Sequence, residues 1–127
     1  NQAKKFTSDL SGWDVSNVTD MSVMFQYASV FHSDLSHWNT SRVVNMDQMF
    51  SNAYEFNGDI GGWDVSNVTN MHAMFLNAHK FNRNLNQWNI GNVRNMSSMF
   101  EGAKSFNREN VREWDLTQVT NKVEMFG

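Results

Sequence analysis

The 127-residue sequence has neither cysteine nor proline. Lack of cysteine excludes disulfides, thiol nucleophiles and thiolate metal sites, and it fits either side of a membrane. Long apolar runs are missing as well, and the opening NQAKKFTSDL carries no hydrophobic stretch suited to a signal peptide. The chain therefore reads as soluble, with any targeting segment outside it and no direct membrane insertion. Nor is there an excess of positive charge. Ten Lys and Arg against thirteen Asp and Glu leave a net charge of -3, so neither nucleic acid nor an anionic membrane is an expected partner. Against these absences, 40% of the residues are hydrophobic and 18% charged, enough for one domain with a continuous core.

What is present is a period. Trp13, Trp38, Trp63 and Trp88 stand 25 residues apart, and Trp114 follows after 26, so one residue has been added before the last copy. Phe6, Phe31, Phe56, Phe81 and Phe106 keep the same spacing, as do Phe25, Phe50, Phe75, Phe100 and Phe126. Val18 to Val119, the Met pairs from Met21 with Met24 to Met96 with Met99, and Ala28 to Ala103 form further columns. A 25-residue segment cannot enclose its own apolar face, so neighbouring copies are expected to stack over one long core.

Within a copy, Trp and Val two apart in Leu10-Ser-Gly-Trp13-Asp-Val15 place both on one face of a short strand. Met46, Met49, Phe50 and Ala53 recur at helical spacing behind Asn45, which predicts a short helix capped by that Asn. Asp20, Asn70, Asn95 and Asn121 hold the capping place in the other copies. The segment FNGDI at 56–60 then reads as a return loop.

The pattern Leu-x-x-Trp-x-Val-x-x-Val fits the leucine-rich motif, and the whole unit (DLSGWDVSNVTDMSVMFQYASVF, again as GDIGGWDVSNVTNMHAMFLNAHKF) resembles the BspA-type leucine-rich repeat family of bacterial surface proteins and mycoplasma lipoproteins. The resemblance spans Phe6 to Phe126, with departures at Asn110, Val111 and Lys122 in the last copy. It implies a cell-surface or secreted location, a role in adhesion or ligand recognition, and no catalytic residues.

The expected fold is accordingly α/β: a leucine-rich-repeat-like solenoid of about five 25-residue coils, with a parallel sheet on one side and short helices on the other. Residues 1–127 are expected to form a single repeat domain in which residues 1–10 supply only the tail of a coil; starting and ending in mid-repeat, it reads as a fragment of a longer array, the rival being a complete protein whose last copy caps it.

The candidate site is the outward side of the strands. Its middle column reads Asp14, Asn39, Asp64, Asn89, Asp115. Carboxylates on adjacent coils would repel by about 0.8 kcal/mol even in water, so the Asn residues act as spacers. A polar ladder bonding along the sheet accounts for this column; a ligand-binding face is the other reading. Variation beside it favours binding, since Gly12, His37, Gly62, Gln87 and Glu113 differ where the core columns do not. The expected contacts are thus Asp14, His37, Asn39, Asp64, Gln87, Asn89, Glu113 and Asp115, the ligand is a protein or glycan, and a structural spacer is the competing class.

No cofactor or metal is expected. Asp14 and Asp64 would lie about 10 Å apart at strand spacing, too far to share a calcium ion. His32, His37, His72 and His79 share no column, and no acidic partner recurs beside His72 or His79 to complete a zinc site. No nucleophile elbow, phosphate loop or dinucleotide fingerprint occurs, so the protein is not expected to be an enzyme. Asn57, Asn82 and Asn107 are expected to bond the backbone of neighbouring coils. The Trp column is expected to face the core, because turning it outward would bury Asp14, Asp64 and Asp115.

Overall fold

The computed structural model describes residues 10–29 and 34–127. Phe6, Phe31 and His32, with nearly all of the partial coil expected over residues 1–10, lie outside them. Coils of 25 residues do stack, but the α/β leucine-rich-repeat architecture does not form. Among the described residues the one helix is a four-residue 3-10 segment, Arg108–Val111. In place of a parallel sheet there are isolated parallel bridges, one residue per coil, joining Asp20, Asn45, Asn70, Asn95 and Asn121 in sequence.

Hydrogen bonding explains both departures. The expected strand is two tight turns: Trp63 N–H donates to the Ile60 carbonyl and Val68 N–H to the Val65 carbonyl, and the other coils repeat the pattern. Only the Trp-x-Val step between the turns keeps the alternation of an extended chain. In the expected helix the backbone donors split between two directions. Met49, Ser51 and Ala53 donate three residues back, to Met46, Gln48 and Phe50, whereas Met46, Gln48, Phe50 and Asn52 donate to Asn70, His72, Met74 and Leu76 of the next coil. An α-helix needs its donors inside, four residues back.

Backbone torsions agree with the turns. Val23, Tyr27, Gln48, Asn52, Ala73, Asn77, Ser98 and Glu124 have φ between 51° and 65°. Each is the third residue of a four-residue turn, where a type II turn requires positive φ. Gly102 takes that place at φ 74°. Left-handed torsions cost roughly 1–2 kcal/mol for a residue other than glycine, and inter-coil bonds of about 0.5–1.5 kcal/mol each offset them. The Asn expected to cap a helix caps the first turn instead: Asn45 Oδ1 accepts the Asp47 N–H at 2.9 Å and Asn70 Oδ1 the His72 N–H at 2.9 Å.

The core columns face inward as expected. Trp38, Trp63 and Trp88 are buried, and each indole N–H donates to a carbonyl of the coil before, those of Leu10, Leu35 and Ile60. Rings stack along the axis: Trp38 on Trp63 at 6.3 Å, and Phe25, Phe50, Phe75, Phe100 and Phe126 in a near-parallel file 5.5–5.6 Å apart. A second file, Phe56, Phe81 and Phe106, lies against the first, with Phe50 and Phe56 only 4.1 Å apart. Trp13, in the first described coil, is 54% exposed. Thr40 occupies the inward Val place and satisfies its hydroxyl by donating to the Asp64 carbonyl.

The added residue before Trp114 is absorbed by the 3-10 segment, which Asn107 caps by accepting the Glu109 N–H. Val111 thereby takes the inward place that Leu85 holds one coil earlier. Lys122, standing where earlier coils have Met, is exposed.

Candidate functional site

All eight expected contact residues are exposed, on a face made of turns rather than strands. The middle column does not bond from coil to coil. Each member instead turns its own chain: Oδ1 of Asp14, Asn39, Asp64, Asn89 and Asp115 accepts the N–H two residues on, that of Ser16, Ser41, Ser66, Gly91 and Thr117, at 3.0 Å. The Ser16 and Ser66 hydroxyls add donor bonds of 2.6 Å to Asp14 and Asp64. These donors hold the carboxyls below their ordinary value, the Ser hydroxyl being the larger cause at Asp14 and Asp64 and the Thr117 N–H at Asp115. A local turn accepts Asn or Asp equally, which accounts for the alternation without a ligand.

The flanking positions are free of that duty. His37 and Gln87 project from exposed corners where Gly12 and Gly62 stand in other coils. Glu113 is fixed at its backbone, whose N–H donates to Asn86 Oδ1, and its carboxylate lies 3.5 Å from the Arg112 guanidinium. Asn89, Glu113 and Asp115 meet around a cavity of about 240 Å³ that Trp88, Trp114 and Gln118 also line. The remaining five, Asp14, His37, Asn39, Asp64 and Gln87, do not line it.

Sequence reasoning missed the amide braces between coils. Asn67 Nδ2 donates to the Ser41 carbonyl and Asn92 Nδ2 to that of Ser66, both at 2.7 Å, and Gln118 Nε2 reaches the Ile90 carbonyl. It also missed a partner for histidine. Asp47 stands one coil before His72 in the same column, and its carboxylate lies 2.7 Å from His72 Nδ1. The 25-residue spacing was the available signal. Ser97 continues that column, but its hydroxyl donates to Asn95 Oδ1 at 2.8 Å, so no nucleophile–base bond joins it to His72. His79 stacks on Tyr54 at 4.9 Å. Among the described residues no three His, Asp or Glu side chains gather as a metal site, and no helix is long and apolar enough to cross a membrane.

The Asn57 column behaves as its repetition suggests. Asn82 N–H donates to Asn57 Oδ1 and Asn107 N–H to Asn82 Oδ1, at 2.8 and 3.0 Å, so side-chain amides tie successive return loops together.

No curated protein and no solved structure matches the chain. A family model does, over residues 1–78 and again over 57–127, so the two matches together span every coil. The chain belongs to the repeat family described as Mycoplasma protein of unknown function, DUF285.

Proposed function

We propose that the chain is a non-enzymatic binding module of a cell-surface or secreted protein, taking a protein or glycan ligand on the exposed turn face. One observation carries the reading: Trp, Phe and Met columns repeat coil after coil, while His37, Gln87 and Glu113 change in side chain on the same exposed edge. A stacked scaffold frees such positions to vary without loss of fold. The Asp and Asn of the middle column each commit Oδ1 to their own turn, so recognition rests first on the flanking residues, joined at the cavity beside Glu113 by the remaining polar groups of Asn89 and Asp115. Membership of the Mycoplasma repeat family, together with the resemblance of the WDVSNVTNM core and the following MFxxA to surface-protein repeats, supports a surface role.

A structural spacer is the second reading, favoured by the self-contained bonding of the Asp14 to Asp115 column, which leaves its polar groups satisfied without a partner. Glycan and protein arrays probed with the chain separate the two. A binder whose signal falls when His37, Gln87 and Glu113 are changed together to Ala supports recognition. Arrays that return no ligand favour the spacer, and a ligand indifferent to that triple change contradicts recognition on the turn face.

A further inference from the structure

A groove of about 740 Å³ runs between successive coils from the return loops to the edge of the turn face, and its walls include Asp34, Ser36, Glu55, Asp59, Lys80 and Arg83. Its origin is local. Phe56 and Asn57 are repeated in the next coils for packing and bonding, but the residue after them is Gly58 where Arg83 and Arg108 follow. A Cβ at Gly58 would stand 2.8 Å from the Phe56 ring, and the missing side chain leaves the groove open here. Arg83 is held across the gap, its Nε donating to the Asn57 carbonyl at 2.9 Å, which leaves the other guanidinium donors available. Arg108, next in the column, is committed elsewhere, lying 4.1 Å over the Phe126 ring.

Asp34 Oδ1 accepts the Ser36 N–H at 2.9 Å, but most of the groove's charge joins no ion pair among the described residues. Glu55 and Lys80 lie one coil apart, yet among the described residues neither joins an ion pair, and Arg83 and Asp59 join none either. Asp59 accepts only the long 3.4 Å bond from its own Gly61 N–H. Where the fold dictates a residue, the coils agree, as at Asp34, Asp59 and Asn84, which each accept the N–H two residues on; at the groove's other wall Glu55, Lys80 and Ser105 succeed one another. We infer that this groove is a second binding site, for a peptide segment carrying both charges: an acidic side chain on Lys80 and Arg83, and a basic one on Glu55 and Asp59. A planar guanidinium beside an ammonium suits a carboxylate, and carboxylates across the groove reject a purely anionic ligand. The volume suits a short segment, within the range of sites that enclose a ligand rather than a single small ion.

Fluorescence polarisation on the whole chain tests this with a labelled hexapeptide of alternating Lys and Glu, against hexaglutamate, hexalysine and phosphatidylcholine vesicles. The mixed peptide is expected to bind best, less tightly as salt rises. Lys80→Ala and Arg83→Ala should each weaken it about fivefold or more, and Glu55→Lys should shift preference toward hexaglutamate. Changing Gln87 and Glu113 together to Ala, neither of which lines the groove, should leave it unaltered, which separates this site from the turn face. Absence of peptide binding, equal binding of hexaglutamate, or capture of vesicles in place of peptide overturns the proposal. So do Lys80 and Arg83 variants that melt like the parent and bind as well.

Discussion

The indole N–H of Trp63 donates to the carbonyl of Leu35 at 2.9 Å, 28 residues back in the chain and one coil away in space. That bond, repeated from coil to coil, lets a Trp sit in an apolar column without stranding its donor. Trp63→Ala should cost about 3–5 kcal/mol, as a buried aromatic truncation between two neighbouring coils. Trp63→Phe keeps a ring but drops the bond and should cost less. Trp13→Ala, at a ring already 54% exposed, should cost least. Urea denaturation of the three variants gives the order; a Trp63→Ala midpoint equal to the parent's would refute the inward column.

Ser98 distinguishes turns from helix by sign. With φ at 57°, its replacement by glycine removes left-handed strain of about 1–2 kcal/mol against a glycine entropy cost of about 0.5–1. Ser98→Gly should therefore raise the denaturation midpoint slightly. In a helix the same change would lower it, since glycine there costs about 1 kcal/mol relative to alanine. Gly102→Ala tests the converse. Its Cβ would fall 2.1 Å from Asn77 Oδ1 at a φ of 74°, so this variant should be destabilised.

Asp64 gives a pH signature. Its carboxyl is held below the ordinary value by the Ser66 hydroxyl and N–H, so the folded state binds that proton less readily than the unfolded chain. The associated stability is present above the unfolded value near 3.8 and is lost as pH falls through the lower folded value. The side chain is exposed, so the effect is small. Asp64→Asn retains the acceptor that Asn39 and Asn89 use at the same place, and should flatten the acid limb of a plot of melting temperature against pH while leaving neutral stability nearly unchanged. An acid limb identical to the parent's would show that the Ser66 bonds do not discriminate between states.

The inward set was legible because period alone assigns it. Met46, Met49, Phe50 and Ala53 are all fully buried, where the spacing puts them. The local conformation was not legible, because one spacing serves two structures. Residues at i, i+3, i+4 and i+7 share a helix face, and they are equally the first and last residues of two successive four-residue turns. What decides is where the Gln48 and Phe50 donors go, a property of the neighbouring coil rather than of the segment. Likewise Asp14 and its column are exposed as the alternation with Val15 requires, but their bonding to Ser16 and its equivalents follows from turn geometry that a strand reading leaves out. The pairing of Asp47 with His72 was readable from the period by comparing positions across copies. The return-loop groove was not, since it depends on how Phe56 packs against Gly58.

The split of backbone donors in the Met-x-x-Met-Phe segment is the central claim, and scalar coupling across hydrogen bonds measures it most directly. In a long-range HNCO experiment the Phe50 amide should couple to the carbonyl carbon of Met74 in the next coil, while the Met49 amide couples to that of Met46. Coupling from the Phe50 amide to the Met46 carbonyl, four residues back, would mean a helix there and would contradict the stacked-turn architecture.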